Sequence, residues 1–221
     1  MRTDHWKSST NVSLYDRVVE RQRLARVMAW LLWGARLRSW YRELDDLGSM
    51  AASKSVLDVP CGGGVAFRGL RASVGPRYVA ADLSSVMLDR ARTEAARRGL
   101  THIEFAQADV AHLPYPDETF DLCVSYNGLH CFPDPPSAVA EMARVLRAGG
   151  ELIGTAIVLG AGRRQDAVIA KNRELGIFGR VGTGAEVRGW LGAAGFGDLR
   201  FRHSGAMLFF RATRNGSAGF H

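Results

Sequence analysis

Residues 56–64 read V-L-D-V-P-C-G-G-G, a composition suited to binding a ligand at a turn. A short apolar pair leads into Asp58, and three consecutive glycines follow before a helix-compatible segment opens at Val65. Glycine tolerates unusual backbone angles and lets a ligand approach backbone N–H groups, while a helix N-terminus adds a favourable dipole. The pattern therefore predicts a nucleotide-binding turn between a strand and a helix, in which Asp58, Gly62 and Gly64 take part.

The spacing of these glycines argues against two common nucleotide sites. A dinucleotide fingerprint, G-x-G-x-x-G, that starts at Gly62 would need a glycine where Phe67 stands. A P-loop needs a lysine and a hydroxyl residue after its last glycine, whereas Leu70 and Arg71 follow Gly69. The turn therefore favours a ligand that has a ribose and no phosphate tail.

A second carboxylate, Asp82, stands where the second predicted strand ends. It lies roughly 20 residues past the glycines, the separation at which a carboxylate at a strand end accepts hydrogen bonds from ribose hydroxyls. Two further predicted strands, at 103–106 and 120–125, are followed by Asp109 and by Asn127. Because open α/β sheets bind ligands at the carboxyl ends of their strands, we expect these side chains to lie at one site.

Five segments, taken in order along the chain, resemble the class I S-adenosylmethionine-dependent methyltransferases. They are similar in particular to the small-molecule branch of that family, which includes quinone-biosynthesis C-methyltransferases. The resemblance covers about residues 54–158 and is carried by 56–64, 79–84, 108–115, 120–124 and 141–150.

The resemblance implies an α/β fold, a Rossmann-like seven-stranded and mostly parallel sheet with helices on both faces and an antiparallel last strand. It also implies S-adenosyl-L-methionine as the cofactor and in-line transfer of its methyl group to a small-molecule acceptor. Such a transfer gains chiefly from the alignment of the two reactants. A general base is needed only where the acceptor must lose a proton.

Several cofactor contacts follow from the resemblance. Asp109 looks like the residue that accepts a hydrogen bond from the adenine amino group, and Val110 like the one whose backbone N–H contacts the ring. Leu83 and Met87 are expected to pack against the adenine and the ribose, although both also fit the core face of an ordinary helix. Asn127 follows the fourth strand and is expected to face the methionine portion.

The remaining candidates lie in the glycine turn and outside the strands. Asp58 is expected to organise the turn or to contact the cofactor amino group, with local capping as the alternative. The family usually has glycine where Pro60 stands, so we expect a contact through the backbone carbonyl there, and Cys61 is expected to contribute its backbone rather than a reactive thiol. Tyr15 resembles an N-terminal tyrosine that touches the cofactor carboxylate or the pocket mouth, with amphipathic packing as the alternative. His130 is either a general base or a hydrogen-bonded packing residue.

The length and composition of the chain suit one domain, which we divide into three parts. Residues 1–47 are predicted to form an N-terminal helical cap. Residues 48–214 are predicted to form the cofactor-binding core, with an inserted lid near 160–182. Residues 215–221 are predicted to be a disordered tail.

Local patterns predict where the elements begin and end. A helical pattern over 14–44 is expected to break at Gly34, and the small residues at 48–53 read as a linker into the first strand. A helix is expected to start at Val65. Other helix ends are predicted at the N-caps Ser84 and Thr183 and at the stop residues Gly99 and Gly195.

Composition limits which partners and which cellular compartment we expect for the chain. The chain has 221 residues, is 47% hydrophobic, and carries a formal net charge of +7. Most of its arginines fall on predicted helices, so we expect solvated helix faces and no nucleic-acid partner. Its three cysteines form no C-x-x-C pair, which favours a reducing cytoplasm and argues against disulfides or a metal site. We expect neither a secretory signal nor a segment that spans a bilayer.

Three functions remain open at this point. The first is an enzyme that methylates an aromatic, quinone-like or natural-product-like acceptor. The second is a regulatory protein that binds the cofactor without turnover, and the third is a methyltransferase that lies on an anionic lipid surface through its basic N-terminal helices. The aromatic acceptor of the first hypothesis rests on apolar residues of the predicted cap and lid, namely Trp30, Trp33, Trp40, Phe132, Ile177 and Phe178.

Overall fold

The computed structural model describes residues 22–71 and 75–216 of the chain. The candidate Tyr15 and most of the predicted tail, residues 217–221, lie outside the described residues.

The described chain forms one seven-stranded sheet with the strand order β3-β2-β1-β4-β5-β7-β6. Strands β1 to β5 pair with one another in parallel, whereas β7 is antiparallel to both β5 and β6. The predicted fold class is therefore confirmed, including the antiparallel last strand. The strands are β1 Ser55–Asp58, β2 Arg77–Asp82, β3 Ile103–Gln107, β4 Phe120–Tyr126, β5 Leu146–Ile157, β6 Phe196–Ser204 and β7 Met207–Arg214.

Helices cover both faces of this sheet. One apolar cluster contains side chains of α2, α3 and α5, and the other contains side chains of α4 and α6. Two short 3-10 helices lie at the carboxyl ends of β1 and β4. The α-helices are α1 Gln22–Trp33, α2 Arg38–Ala51, α3 Ser85–Arg98, α4 Pro135–Val145, α5 Arg163–Glu174 and α6 Gly184–Ala193, and the 3-10 helices are Val65–Gly69 and Leu129–Cys131.

The central strands are apolar because they are buried on both sides. In β4, Leu122 and Val124 belong to one apolar cluster, while Cys123 between them belongs to the other. A strand covered by helices on both faces has no polar side, so its sequence is continuously apolar rather than alternating. This arrangement leaves the polar residues of the chain to collect at the strand ends.

Local capping chemistry determines the predicted helix ends. The Ser84 hydroxyl accepts a hydrogen bond from the Met87 amide at the start of α3, and Gly99 ends that helix with φ at +70°. Thr183 and Glu186 form a reciprocal capping box at the start of α6. The break at Gly34 is also confirmed, since its φ of +64° is unfavourable for residues with a side chain.

The helix that we expected to start at Val65 is only a five-residue 3-10 helix, Val65–Gly69. The reason is a close backbone contact that the sequence pattern does not reveal. A Cβ atom on Gly69 would lie 1.7 Å from the carbonyl oxygen of Leu44 in α2. Helix α2 therefore packs directly against the backbone of this segment.

The predicted linker at 48–53 is also wrong, because α2 continues to Ala51. Leu47 and Ala51 are buried in the core. Gly48 is needed for packing rather than for flexibility, since a Cβ there would lie 2.2 Å from the carbonyl oxygen of Gly69. The backbone is thus helical across residue 47, and the division into a cap and a core stays a prediction.

Replacing Gly48 by alanine should lower the free energy of unfolding by roughly 1–3 kcal/mol, because the new methyl group meets the Gly69 carbonyl. Gly189→Ala is the matched control, since Gly189 is also helical but a Cβ there would meet nothing within 4 Å. The control should be neutral or stabilising by up to about 1 kcal/mol. Urea unfolding of both variants tests the difference. Equal effects would mean that α2 and the 3-10 helix are not in close contact.

Candidate functional site

The glycine turn between β1 and the first 3-10 helix is held by backbone hydrogen bonds. The Cys61 amide donates to the Ala81 carbonyl at 2.9 Å, and the Gly64 amide donates to the Cys61 carbonyl at 3.0 Å. Gly62 and Gly64 have φ values of +52° and +86°. A Cβ on Gly64 would lie 2.5 Å from the Phe67 ring, whereas one on Gly62 would meet nothing within 4 Å. Gly64 is therefore needed for packing, and Gly62 leaves its backbone accessible to a ligand.

Asp82 connects this turn to the start of α3. Its Oδ2 accepts a hydrogen bond from the Gly62 amide and its Oδ1 accepts one from the Ser84 amide, each at 2.9 Å. The residue is buried, and this burial raises the pKa of its carboxyl group, against the effect of the amide donors. Each carboxylate oxygen has a second lone pair, so both can still accept a hydrogen bond from a ribose hydroxyl.

Asp58 lies at the end of β1 but does not organise the turn. Its Oδ2 accepts a hydrogen bond from the Tyr78 hydroxyl at 3.0 Å, and both residues are buried. Burial raises the pKa of the Asp58 carboxyl to about 8, with Tyr78 opposing the shift and Asp82 adding to it. The turn-organising role that we expected of Asp58 is carried by Asp82, because its oxygens reach the Gly62 amide. A contact from Asp58 to the cofactor amino group stays a prediction.

The adenine-side candidates lie next to Asp82. The Ala108 amide donates to the Asp82 carbonyl at 3.1 Å. Asp109 Oδ1 accepts a hydrogen bond from the Ala111 amide at 3.0 Å, which holds its side chain at the start of the loop after β3. Val110, which follows it, is buried. The structure therefore brings the segments of Asp82 and Asp109 to the same edge of the sheet.

Leu83 and Met87 differ in their surroundings. The side chain of Leu83 is 64% exposed, so it does not belong to the core of the described protein. Met87 is partly buried on the first turn of α3. The alternative of ordinary core packing therefore fails for Leu83, and its contact with the adenine or the ribose stays a prediction.

Asn127 is fixed at the end of β4. Its φ is +57°, its amide donates to the Thr155 carbonyl at 2.8 Å, and its Oδ1 accepts from the Thr155 hydroxyl at 3.0 Å. The next residue, Gly128, packs against Pro60, since a Cβ there would lie 2.4 Å from the proline Cδ. Pro60 thus joins the glycine turn to the segment after β4, and the predicted contact of its carbonyl with the cofactor stays untested.

His130 is held in place by a backbone hydrogen bond and an aromatic contact. Its Nδ1 accepts a hydrogen bond from the Ile157 amide at 3.1 Å, and its ring makes a T-shaped contact with the Phe178 ring, with 4.5 Å between the ring centroids. The residue is only 6% exposed, and burial lowers its pKa to about 3. A general base needs a free lone pair and a pKa near the working pH, so this geometry favours the alternative over the general base, and the role of His130 stays a prediction.

The aromatic residues divide into two groups. Trp33 of α1 stacks on Phe178 at 5.8 Å between ring centroids, which places cap and lid residues next to His130. Trp40 is only 2% exposed and belongs to the core, so it does not line a pocket mouth. Trp30 is 59% exposed on α1. The expected apolar wall is therefore formed by Trp33 and Phe178, and not by Trp40.

Sequence reasoning missed two side chains that position the candidates. Tyr78 bonds Asp58, and Thr155 bonds Asn127. Tyr78 could have been found from strand register, because it pairs with Val56, two residues before Asp58 and on the same face of β1. No local signal marks Thr155, because its partner is 28 residues away.

The cysteines are not reactive groups in this structure. Cys61, Cys123 and Cys131 are all free. Burial raises the thiol pKa of each, that of Cys131 to about 12, so the thiols stay protonated at neutral pH. Cys61 contributes its backbone to the turn. Within residues 22–71 and 75–216, no cluster of three His, Cys, Asp or Glu side chains is placed to hold a metal ion.

Residues 57–154 match the family model of the methyltransferase domain. This match agrees with the resemblance to the methyltransferase family that the sequence motifs indicate. The cofactor of this domain family is S-adenosylmethionine, as the resemblance implied. Within the described part of the chain, no helix combines the length and the apolar character needed to traverse a bilayer.

Two curated relatives and one solved structure illustrate the similarity. A demethylmenaquinone methyltransferase of Thermus thermophilus is 39% identical over 124 residues, which cover 56% of each chain. The ubiquinone/menaquinone biosynthesis C-methyltransferase UbiE of Hahella chejuensis is 40% identical over 120 residues, covering 52% of this chain and 48% of that one. The crystal structure of a putative methyltransferase from Bacillus halodurans matches with a TM-score of 0.67 at 21% identity, over 80% of this chain and 100% of that one. The chain spans about half the length of the curated relatives it matches.

Replacing Asp58 by asparagine should stabilise the cofactor-free protein at pH 8. The folded-state pKa of about 8 lies above the usual 3.8, so the native state binds the extra proton and its stability falls as pH rises from about 4 to 8. Asparagine has no such dependence and still accepts from Tyr78, so we expect a gain of roughly 1–3 kcal/mol at pH 8 and little change below pH 4. Thermal unfolding of both proteins across this range measures the effect. A gain that is equal at every pH would contradict the raised pKa.

Proposed function

We propose that the chain is an S-adenosylmethionine-dependent methyltransferase that transfers a methyl group to a small, aromatic, quinone-like acceptor by in-line displacement. The observation that carries the proposal is the pair of hydrogen bonds from Gly62 and Ser84 to the Asp82 carboxylate. This arrangement orders a glycine turn around a carboxylate at a strand end, and it includes no lysine for a phosphate group.

The residues present fit this cofactor. Asp82 has free lone pairs for the two ribose hydroxyls, and Gly62 lets a ligand approach the backbone without a steric clash. Asp109 would accept from the adenine amino group, and the exposed Leu83 would cover the adenosine. Asn127, held by Thr155, would contact the methionine portion together with Asp58. Tyr15 is proposed as a further contact from the N-terminal region.

The chain contributes alignment rather than acid–base chemistry. S-adenosylmethionine supplies an activated methyl group on a sulfonium, so the protein must hold the acceptor atom in line with that bond. Such positioning can contribute up to roughly 7–11 kcal/mol. His130 does not remove a proton from the acceptor in this mechanism, because its Nδ1 is occupied by the Ile157 amide.

An apolar wall supports an aromatic acceptor. Trp33 and Phe178 stack next to His130, which lies four residues past the end of β4. Aromatic ligands gain from stacked and edge contacts with such rings. The names of the matched relatives, demethylmenaquinone and ubiquinone/menaquinone methyltransferases, agree with an acceptor of this class.

The lid, the cap and the location belong to the same proposal. Helix α5 and the chain after it form the proposed lid at 160–182, and the amides of Gly179 and Arg180 donate to the carbonyls of His130 and Phe132, each at 3.0 Å. Residues before 48 form the proposed cap. We place the protein in the cytoplasm, which the three free cysteines support.

Asp82→Asn should weaken the binding of S-adenosylhomocysteine by roughly ten- to hundredfold, because one amide group cannot accept from both Gly62 and Ser84 and also bind ribose. Asp89→Asn is the matched control: it removes an exposed carboxylate of α3 that pairs with Arg92 at 2.9 Å. The control should change the affinity by less than about twofold, because an exposed surface ion pair contributes little free energy. Isothermal titration calorimetry measures both. An unchanged affinity in the Asp82 variant would remove the basis of the proposal.

Turnover should be detected with reduced naphthoquinones or other phenolic aromatic acceptors and the cofactor. The stacked rings of Trp33 and Phe178 favour aromatic acceptors over sugar phosphates, which have no aromatic ring to pack against them. Mass spectrometry of an acceptor panel measures the methylated product. Cofactor binding without any product would support the non-catalytic alternative, and product only from sugar phosphates would contradict the acceptor class.

A further inference from the structure

The His130 ring is held in one tautomer. Its Nδ1 accepts a hydrogen bond from the Ile157 backbone amide, which is itself a donor and cannot accept a proton from the ring. In the neutral imidazole the proton is therefore on Nε2. The Ile157 backbone N–H thus fixes which ring nitrogen of His130 carries the hydrogen.

The ring also remains neutral. A second proton would have to bind Nδ1, where it would point at the Ile157 N–H, and the residue is buried. This burial disfavours the charged imidazolium and lowers the pKa of His130 to about 3. At any ordinary working pH, the ring can therefore donate one hydrogen bond from Nε2 and cannot take up a proton.

This donor is held between β5 and the lid. The Gly179 amide donates to the His130 carbonyl at 3.0 Å, and the ring of Phe178 contacts the imidazole edge-on. Trp33 in turn stacks on Phe178. No residue in the described part of the chain accepts a hydrogen bond from Nε2. A polar N–H in such apolar surroundings gains more from an acceptor than it would in water.

We propose that the Nε2–H of His130 binds an oxygen atom of the methyl acceptor, and that the acceptor is therefore an aromatic compound bearing a carbonyl, hydroxyl or phenolate oxygen. The proposal rests on the methyltransferase function proposed above. His130 is then a binding residue that selects the acceptor and stabilises negative charge on its oxygen. A protonated amine is disfavoured, because it would place a donor against a donor.

The tautomer is the first test, and it needs no ligand. Imidazole ¹⁵N shifts of the full chain at neutral pH should show an unprotonated Nδ1 and a protonated Nε2 for His130, assigned by comparison with His130→Gln. A His130 that is protonated on Nδ1 would overturn the proposal.

The second test compares two ligands with the same carbon skeleton, 2,3-dimethyl-1,4-naphthoquinone, which carries two carbonyl oxygens, and 2,3-dimethylnaphthalene, which has none, in the presence of S-adenosylhomocysteine. The wild-type protein should bind the quinone about tenfold more tightly than the hydrocarbon. His130→Leu should lose this preference while binding the hydrocarbon as well as before. His130→Gln should keep much of it, because glutamine can accept from Ile157 and donate to the ligand.

The two variants also separate this proposal from the function on which it rests. If His130→Leu loses affinity for both ligands equally, or keeps the preference for the quinone, the proposed role of His130 is overturned. Binding of S-adenosylhomocysteine should be the same in all three proteins, and its absence in the wild type would overturn the proposed function instead.

Discussion

Asp82 positions three segments of the candidate site relative to one another, two through its carboxylate and one through its main-chain carbonyl. Its two oxygens accept from the Gly62 amide in the glycine turn and from the Ser84 amide at the start of α3, and its carbonyl accepts from the Ala108 amide after β3. A buried carboxylate is tolerated only where such donors replace water. The hydrogen bonds that make the burial of Asp82 tolerable are therefore the same ones that order the turn.

Steric contact positions the same turn from its other end. The 3-10 helix after the turn lies against α2 through the backbones of Gly48 and Gly69. A methyl group on either glycine would push these two backbones apart. Helix α2 is continuous and its apolar face is buried, so it forms a rigid support for the turn. Helix α2 thus acts on the proposed cofactor site through packing, whereas Asp82 acts through hydrogen bonds.

What could be predicted from the sequence depended on whether the cause was local. Strands, caps and the glycine–carboxylate pattern arise from neighbouring residues, so Ser84, Gly99 and Thr183 were predicted correctly. The contact of Gly48 with Gly69 and the bond from the Ile157 amide to His130 Nδ1 join segments 21 and 27 residues apart in the chain, and each involves a backbone group that every non-proline residue has. The types of the side chains do not indicate such contacts. The short 3-10 helix and the tautomer of His130 could therefore be recognised only in the structure.

Burial, rather than ion pairing, determines the protonation of the site. It raises the pKa of the Asp58 and Asp82 carboxyls and lowers that of His130, so all three shifts favour neutral groups. A cofactor with a positive charge near these carboxyls would favour their ionised forms, so binding of the proposed cofactor would be coupled to loss of a proton from Asp58. A neutral His130 would add no repulsion against that charge.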